Sequence, residues 1–367
     1  MVTKLNDNAE KLVLDIISRF QRRDIKGSFD AATATVLLMR DVISQSRWNT
    51  AAEIMDIVRA VGKRVATAMP NELTVGTMTR RVLYIIREEY AADESNRKSS
   101  QQNQQTTAPN VIQLKTLQRL VTVKLDQHSA YKEEKKDLKG SLMEGLKELK
   151  LELDNSRHNI SMHAQDLIHA NEIILVYGLS TTVESFLLSA YKRHSQKGIR
   201  FFVVVVEAAP SYGGHMAAQR LSAEGMATTI ITDAAVYAIM ARVNKVIVGT
   251  NGIMADGGLM APSGTLNIAL AAEAHAVPVI VLSALYKLAT TFPCAYDPDE
   301  FCAVGDPEQT YKYADAGIHH SGQIQTPLYD YVPPNLISLY VTNSGGHAPT
   351  YIYRLLSEYY HPDDQIL

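Results

Sequence analysis

From residue 172 onward the chain repeats one pattern: a short run of aliphatic residues, then a longer stretch with helical spacing. The runs are IILVY (173–177), FFVVVV (201–206), TTIIT (228–232), KVIVG (245–249), PVIVL (278–282) and ISLYVT (337–342). Continuous β-branched runs bounded by turn residues predict strands buried on both faces. Helical stretches between them call for βαβ crossovers and a mostly parallel sheet. The 367 residues suffice for two domains and a sizeable core.

Upstream the apolar period lengthens. Val13, Ile16, Ile17 and Phe20 recur at i, i+3, i+4 and i+7, and Ile54, Ile57, Val58, Val61 and Val65 do the same, which predicts amphipathic helices. Thr50 and Glu53 have capping-box spacing ahead of the second stripe, and RRVLYIIREEY (80–90) continues as a helix. Residues 91–109 (AADESNRKSSQQNQQTTAP) are polar. They bury too little to offset their ordering entropy and read as a flexible loop or linker. Leu142, Leu146, Leu149 and Leu153 then mark a long helix. The expected organisation is an N-terminal α-helical domain over 1–165 and a mostly parallel α/β domain over 166–367. Residues 287–335 form an irregular excursion before the last strand.

Composition excludes several classes. A formal net charge of −3 supplies no basic field for nucleic acid. No run approaches the ~20 apolar residues of a membrane span, and the first twenty residues lack a secretory signal's apolar core and cleavage site. Two cysteines, Cys294 and Cys302, fit a reducing compartment, so a cytoplasmic location is expected. There is no G-x-x-x-x-G-K-[ST] and no G-x-G-x-x-G, so neither a P-loop nucleotide nor a dinucleotide cofactor is expected.

Several residues stand where α/β sheets build sites. The turn Tyr177, Gly178, Leu179, Ser180 follows the first strand, and Thr181 and Glu184 have capping-box spacing. A helix start there binds an anion, or is an ordinary strand-to-helix turn. Glu207 ends the second strand and Asp233 the third, at carboxyl ends where ligands bind; Asp233 serves equally well as a helix cap. The segment VNKVIVGTNGIMADGGLMAPSGTLNIAL (243–270) runs from a strand through a Gly-rich turn into a helix that starts near Ser263, Gly264 and Thr265. A phosphate or sugar would sit at that helix start. Asp256 is a carboxylate in this turn, or a turn former. Gly213-Gly214-His215 and His319-His320 lack a second Cys/His cluster with ligand spacing, so no metal is expected. No Cys stands at a strand end over 173–250 to serve as a nucleophile.

RWNTAAEIMDIVRAVGKRV (47–65), ELTVGTMTRRVLYIIREEY (72–90), NKVIVGTNGIMADG (244–257) and YDYVPPNLISLYVTNSGGHAPTYIYRLLSEYYHPDD (329–364) resemble the regulatory-subunit family of eukaryotic translation initiation factor 2B, in its beta branch. The resemblance covers nearly the whole chain and is weakest over 91–135 and 290–325. It implies a helical domain followed by a Rossmann-like domain. It also implies membership of the guanine-nucleotide exchange factor for initiation factor 2, a decamer in which gamma and epsilon carry the exchange catalysis. The implied partners are the alpha, gamma, delta and epsilon subunits of initiation factor 2B, and the alpha subunit of initiation factor 2, whose phosphorylation the core senses.

The same fold occurs in methylthioribose-phosphate and ribose-bisphosphate isomerases. By this resemblance their catalytic Cys aligns with about Gly178, their catalytic Asp with Asn251, and the Arg of their Glu-Thr-Arg-Pro motif with Ala209. Asn accepts no proton at neutral pH, Gly carries no nucleophile, and loss of Arg removes a bidentate phosphate donor. The resemblance therefore implies a relic ligand pocket at Gly178, Glu207, Asp233, Asn251 and Asp256. The rival readings are a sugar-phosphate isomerase-like enzyme and a nucleotide-binding protein that holds phosphate through backbone amides. It further implies a beta–delta contact at the opposite sheet end, near Asn171, Phe202 and Thr229. It also implies that the helical domain receives initiation factor 2. The cations Arg22, Arg23 and Lys26, and later Arg80, Arg81 and Arg87, suit a phosphoserine, or are solvated helix faces.

Overall fold

The computed structural model describes residues 6–102, 131, 138–196, 198–293, 303–312 and 324–364. Cys294, Cys302, His319, His320 and residues 103–109 of the expected linker lie outside them. The chain divides into two compact units, Met1–Glu152 together with Tyr359–Leu367, and Leu153–Glu358. The second is thus inserted, in sequence, within the first.

The first unit is helical: α1 (Asp7–Gln21), α2 (Ser28–Gln45), α3 (Ala51–Ala68), α4 (Leu73–Gln102) and the first part of α5 (Leu138–Met162). The apolar stripes face inward, with Val13, Phe20, Ile54, Val58, Val61 and Val65 all within 1% of full burial. Thr50 caps α3 by accepting the Glu53 amide at 3.3 Å, while the Glu53 carboxylate accepts the Asn49 amide at 2.9 Å. Helices α3 and α4 pack closely at Gly62, where an added Cβ would fall 2.1 Å from Thr79 Cγ2. Helix α4 runs on to Gln102, through the first part of the polar stretch read as a linker. The Ala, Glu, Arg, Lys and Gln in that stretch are good helix formers in spite of their polarity.

In the second unit, α5 ends and α6 (Ala164–Leu167) leads into β1 (Ile173–Tyr177). Then follow α7 (Thr181–Gln196), β2 (Phe202–Val206), α8 (Gly213–Ala223), β3 (Thr228–Ile231), α9 (Val236–Met240) and β4 (Lys245–Gly249). After them come β5 (Gly252–Ile253), β6 (Leu259–Pro262), α10 (Thr265–Ala274) and β7 (Val279–Leu282). The last elements are β8 (Tyr329–Val332), β9 (Leu339–Thr342), β10 (Gly345–His347) and α11 (Ile352–Tyr359).

The main sheet has the order β10-β9-β7-β4-β1-β2-β3 and is parallel except for β10, which pairs antiparallel with β9. A smaller antiparallel sheet has the order β5-β6-β8. The inner strands are apolar on both faces because both are covered: Val203, Val205, Val206, Val246 and Ile247 are fully buried. The third run differs. Strand β3 is an edge, paired only with β2, and Thr229 and Ile230 are exposed. Chain order reverses between β1 and β4, so a crevice is expected beyond their carboxyl ends.

Candidate functional site

Two tight backbone turns close the carboxyl ends of β1 and β2. Gly178 follows β1 with φ +60°, and Ala208 and Tyr212, after β2, have φ +58° and +50°. Gly214 is pressed so tightly on β2 that an added Cβ would lie 2.0 Å from the Val206 carbonyl oxygen. The two strand-end carboxylates tie these turns together. Asp233 accepts the Ala209 amide at 2.8 Å, and Glu207 accepts the Asp233 amide at 3.4 Å. His215 Nε2 stands 3.7 Å from the other Glu207 oxygen. Glu207 and Asp233 are therefore neighbours, bound to backbone rather than aimed at open space.

Across the switch point the residues after β4 join the small sheet. The Asn251 amide donates to the Met260 carbonyl at 3.0 Å, and Asn251 Nδ2 donates to the Tyr329 hydroxyl at 3.2 Å. Asp256 accepts the Gly258 amide at 2.9 Å and the Tyr331 hydroxyl, so it shapes the turn between β5 and β6. Tyr177 reaches across from β1 and donates its hydroxyl to the Ser263 carbonyl. Burial first, and then the Asp233 and Asp330 charges, push this hydroxyl far above its usual range, so it stays protonated and acts as a donor.

The start of α10, where an anion was expected, carries a carboxylate of the chain itself. Asp330 on β8 accepts the Gly264 amide at 2.6 Å and the Leu266 amide at 3.4 Å. It satisfies amides that would otherwise face a bound phosphate. The β1 turn is equally full: a Cβ on Gly249 would fall 2.5 Å from Ser180 Oγ. Helix α7 begins at Thr181 itself, so Thr181 and Glu184 form no capping box; Glu184 pairs with Arg220 at 3.3 Å instead. Asp330 was not legible beforehand, because a lone Asp between tyrosines has no periodic link to residue 264. Chemically, Gly178, Ala209 and Asn251 offer neither nucleophile, nor acid, nor phosphate clamp. Among the described residues no group of three or more His, Cys, Asp or Glu could hold a metal.

Asn171, Phe202 and Thr229 stand near the amino ends of β1, β2 and β3, staggered in register, with Phe202 opposite Ile173 and Thr229 opposite Val204. Asn171, with φ +60°, donates its amide to the Arg200 carbonyl at 2.7 Å. Phe202 begins β2 with 47% of its surface exposed, and exposed Thr229 pairs with Val204. In the helical unit, Arg22, Arg23 and Lys26 are exposed between α1 and α2. The second cation group is engaged elsewhere. Arg80 donates to the Asp364 carbonyl at 3.0 Å, Arg81 lies 4.3 Å from the Tyr359 ring centroid, and Arg87 grips the Asp364 carboxylate. These three hold residues 359–364 and are no solvated face.

Helices followed by a doubly wound parallel sheet, with strand-end turns held by carboxylates of the chain itself, define a Rossmann-like scaffold. Residues 24–349 match the model of the initiation factor 2 subunit family, and the chain belongs to that family. It is 36% identical to translation initiation factor eIF2B subunit beta of Schizosaccharomyces pombe, over 97% of each chain. The crystal structure of eIF2B beta from Chaetomium thermophilum superposes with a TM-score of 0.73 at 27% identity, covering 98% of this chain and 94% of that one. A chain of the tetrameric eIF2B-beta2-delta2 complex from C. thermophilum gives 0.69 at 25% identity, over 96% and 95%. The protein is therefore a translation initiation factor subunit whose full-length relatives are of the beta type. Among the described residues no helix is long and apolar enough to cross a membrane.

Proposed function

We propose that this chain is a regulatory, non-catalytic subunit of the guanine-nucleotide exchange factor for initiation factor 2, working in the cytoplasm with alpha, gamma, delta and epsilon subunits. The similarity to beta subunits along the whole chain carries this reading. The closed strand ends support it. With Gly178, Ala209 and Asn251 at the positions an isomerase needs, and Asp330 in the anion seat, the relic pocket at Gly178, Glu207, Asp233, Asn251 and Asp256 performs no chemistry.

Pairing with a delta subunit uses the amino ends of β1–β3 around Asn171, Phe202 and Thr229. The relative from C. thermophilum forms a beta2-delta2 tetramer. An aromatic ring half exposed at the head of a buried strand gains from being covered. The helical unit receives the alpha subunit of initiation factor 2. Arg22, Arg23 and Lys26 present exposed guanidinium and ammonium groups, and a phosphoserine brings about −1.5 to −2 charge to such a cluster.

The test is release of labelled GDP from initiation factor 2 by the reconstituted complex, with and without phosphorylated alpha subunit. Arg22→Glu with Arg23→Glu is expected to weaken inhibition while leaving assembly intact; unchanged basal exchange and unchanged inhibition would remove the cluster from the contact. Phe202→Asp is expected to abolish co-elution with delta, because an unpaired buried charge costs several kcal/mol. Wild-type pairing by that variant would move the interface elsewhere.

A further inference from the structure

One carboxylate joins parts of the helical unit that are far apart in the chain. Asp364 is fully buried. It accepts Arg59 Nη2 from α3 at 3.0 Å, and Arg87 Nε and Nη2 from α4 at 3.0 and 3.1 Å. Its backbone carbonyl accepts Arg80 Nε at 3.0 Å. The preceding residues add contacts of other kinds. Tyr360 is buried, the Tyr359 ring lies beneath the Arg81 guanidinium, and Asp363 stands 3.9 Å from Arg87. Arg87 is itself only 9% exposed.

We propose that residues 359–364 act as a latch that closes the helical unit, with the Asp364 carboxylate as its bolt. Without that charge, Arg59 and Arg87 lose the buried anion they share, and the acids left to them, Asp56 at 3.1 Å from Arg59 and Asp363 at 3.9 Å from Arg87, are exposed ones that compensate less. Like charges then push apart two helices that otherwise touch closely at Gly62. Because the latch arrives only after residues 153–358 have been made, the helical unit reaches its closed form late in synthesis and holds it only while the latch is engaged. The Arg80, Arg81 and Arg87 group thus belongs to an internal lock.

Amide hydrogen exchange resolved along the purified full chain tests this. Asp364→Ala is expected to speed exchange in α3 and α4 at least tenfold while β1, β2 and β4 keep their protection. Asp364→Asn, which keeps the shape and loses the charge, is expected to fall between. A chain lacking 359–367 is expected to match Asp364→Ala and to regain protection when a synthetic peptide of residues 353–367 is added, whereas the same peptide with Asp364→Ala fails to rescue. If the shortened chain is recovered only as aggregate, the two point variants decide the matter. Unchanged exchange in α3 and α4, equal loss in the strands, or rescue by the alanine peptide would each overturn the latch.

Discussion

The two units hold their structural carboxylates in opposite ways, Asp364 being fully buried and Asp233 and Asp330 only partly so. In the helical unit, Asp364 is held by guanidinium groups that come from positions about three hundred residues earlier in sequence. In the α/β unit, Asp233 and Asp330 are held by backbone amides of turns and of a helix start. The first arrangement depends on full counter-charges in a site closed to water, where removing one partner leaves a strong penalty. The second depends on partial charges of the backbone, which water can replace at modest cost when the side chain leaves. Charge pairs here tie distant segments together, whereas amide–carboxylate bonds shape local turns.

This contrast fixes an order of effects. Asp364→Ala is expected to be the most damaging change, destabilising the helical unit by about 3–5 kcal/mol, read as a lowered first transition in thermal unfolding. A loss no larger than that of a surface change would erase the distinction between the units. Asp330→Ala removes a helix cap supplied from another strand and is expected to cost about 1–2 kcal/mol. The loss should show as faster exchange at the start of α10 alone. If Asp330→Ala instead binds inorganic phosphate in a calorimetric titration where wild type does not, the carboxylate also excludes an anion, which sharpens the comparison.

Acid supplies a smaller effect with a defined sign. Burial, and then the neighbouring Arg87 guanidinium, hold the His361 imidazole below its ordinary value, and its Nδ1 accepts the Asp363 amide at 3.2 Å. The folded form therefore takes up its proton later than the unfolded form does. Stability must fall as pH drops through about 6.5, and His361→Gln is expected to flatten that part of the denaturation profile. An unaltered profile would detach His361 from the latch. The smallest effect belongs to an exposed pair of the same chemistry as Asp364 with its arginines. Arg64 holds Glu10 at 2.7 Å and lowers its carboxyl's affinity for protons. Yet Glu10→Gln is expected to cost less than ~1 kcal/mol, since solvent screens both groups. A larger loss would show that geometry, not burial, ranks these pairs.

The sheet was legible in the sequence because its inner strands are buried on both faces. Runs such as FFVVVV leave little choice of element, and six of the strands fall where those runs stand. The stripes of α1 and α3 were equally plain, since each buries one face. Strands β5, β6 and β8 were not legible: Gly252–Ile253 is too short for any period, and YDYV alternates without a clear apolar face. At the site, sequence reading found Glu207, Asp233 and Asp256 as strand-end or turn carboxylates, and their bonds to amides needed coordinates. Asp330 and Asp364 were missed for one reason. Each acts through contacts of long sequence separation, which local patterns do not carry. The same blindness made Arg80, Arg81 and Arg87 look like a free basic face.

The nested order of the units has a mechanical consequence. Handles placed at Asn6 and Asp364 would both pull on the helical unit, because the chain leaves it at residue 152 and returns at 359. Tension would bypass the α/β unit entirely until the Asp364 contacts part. A force–extension trace should therefore begin with one short release, and the sheet should feel load only after it.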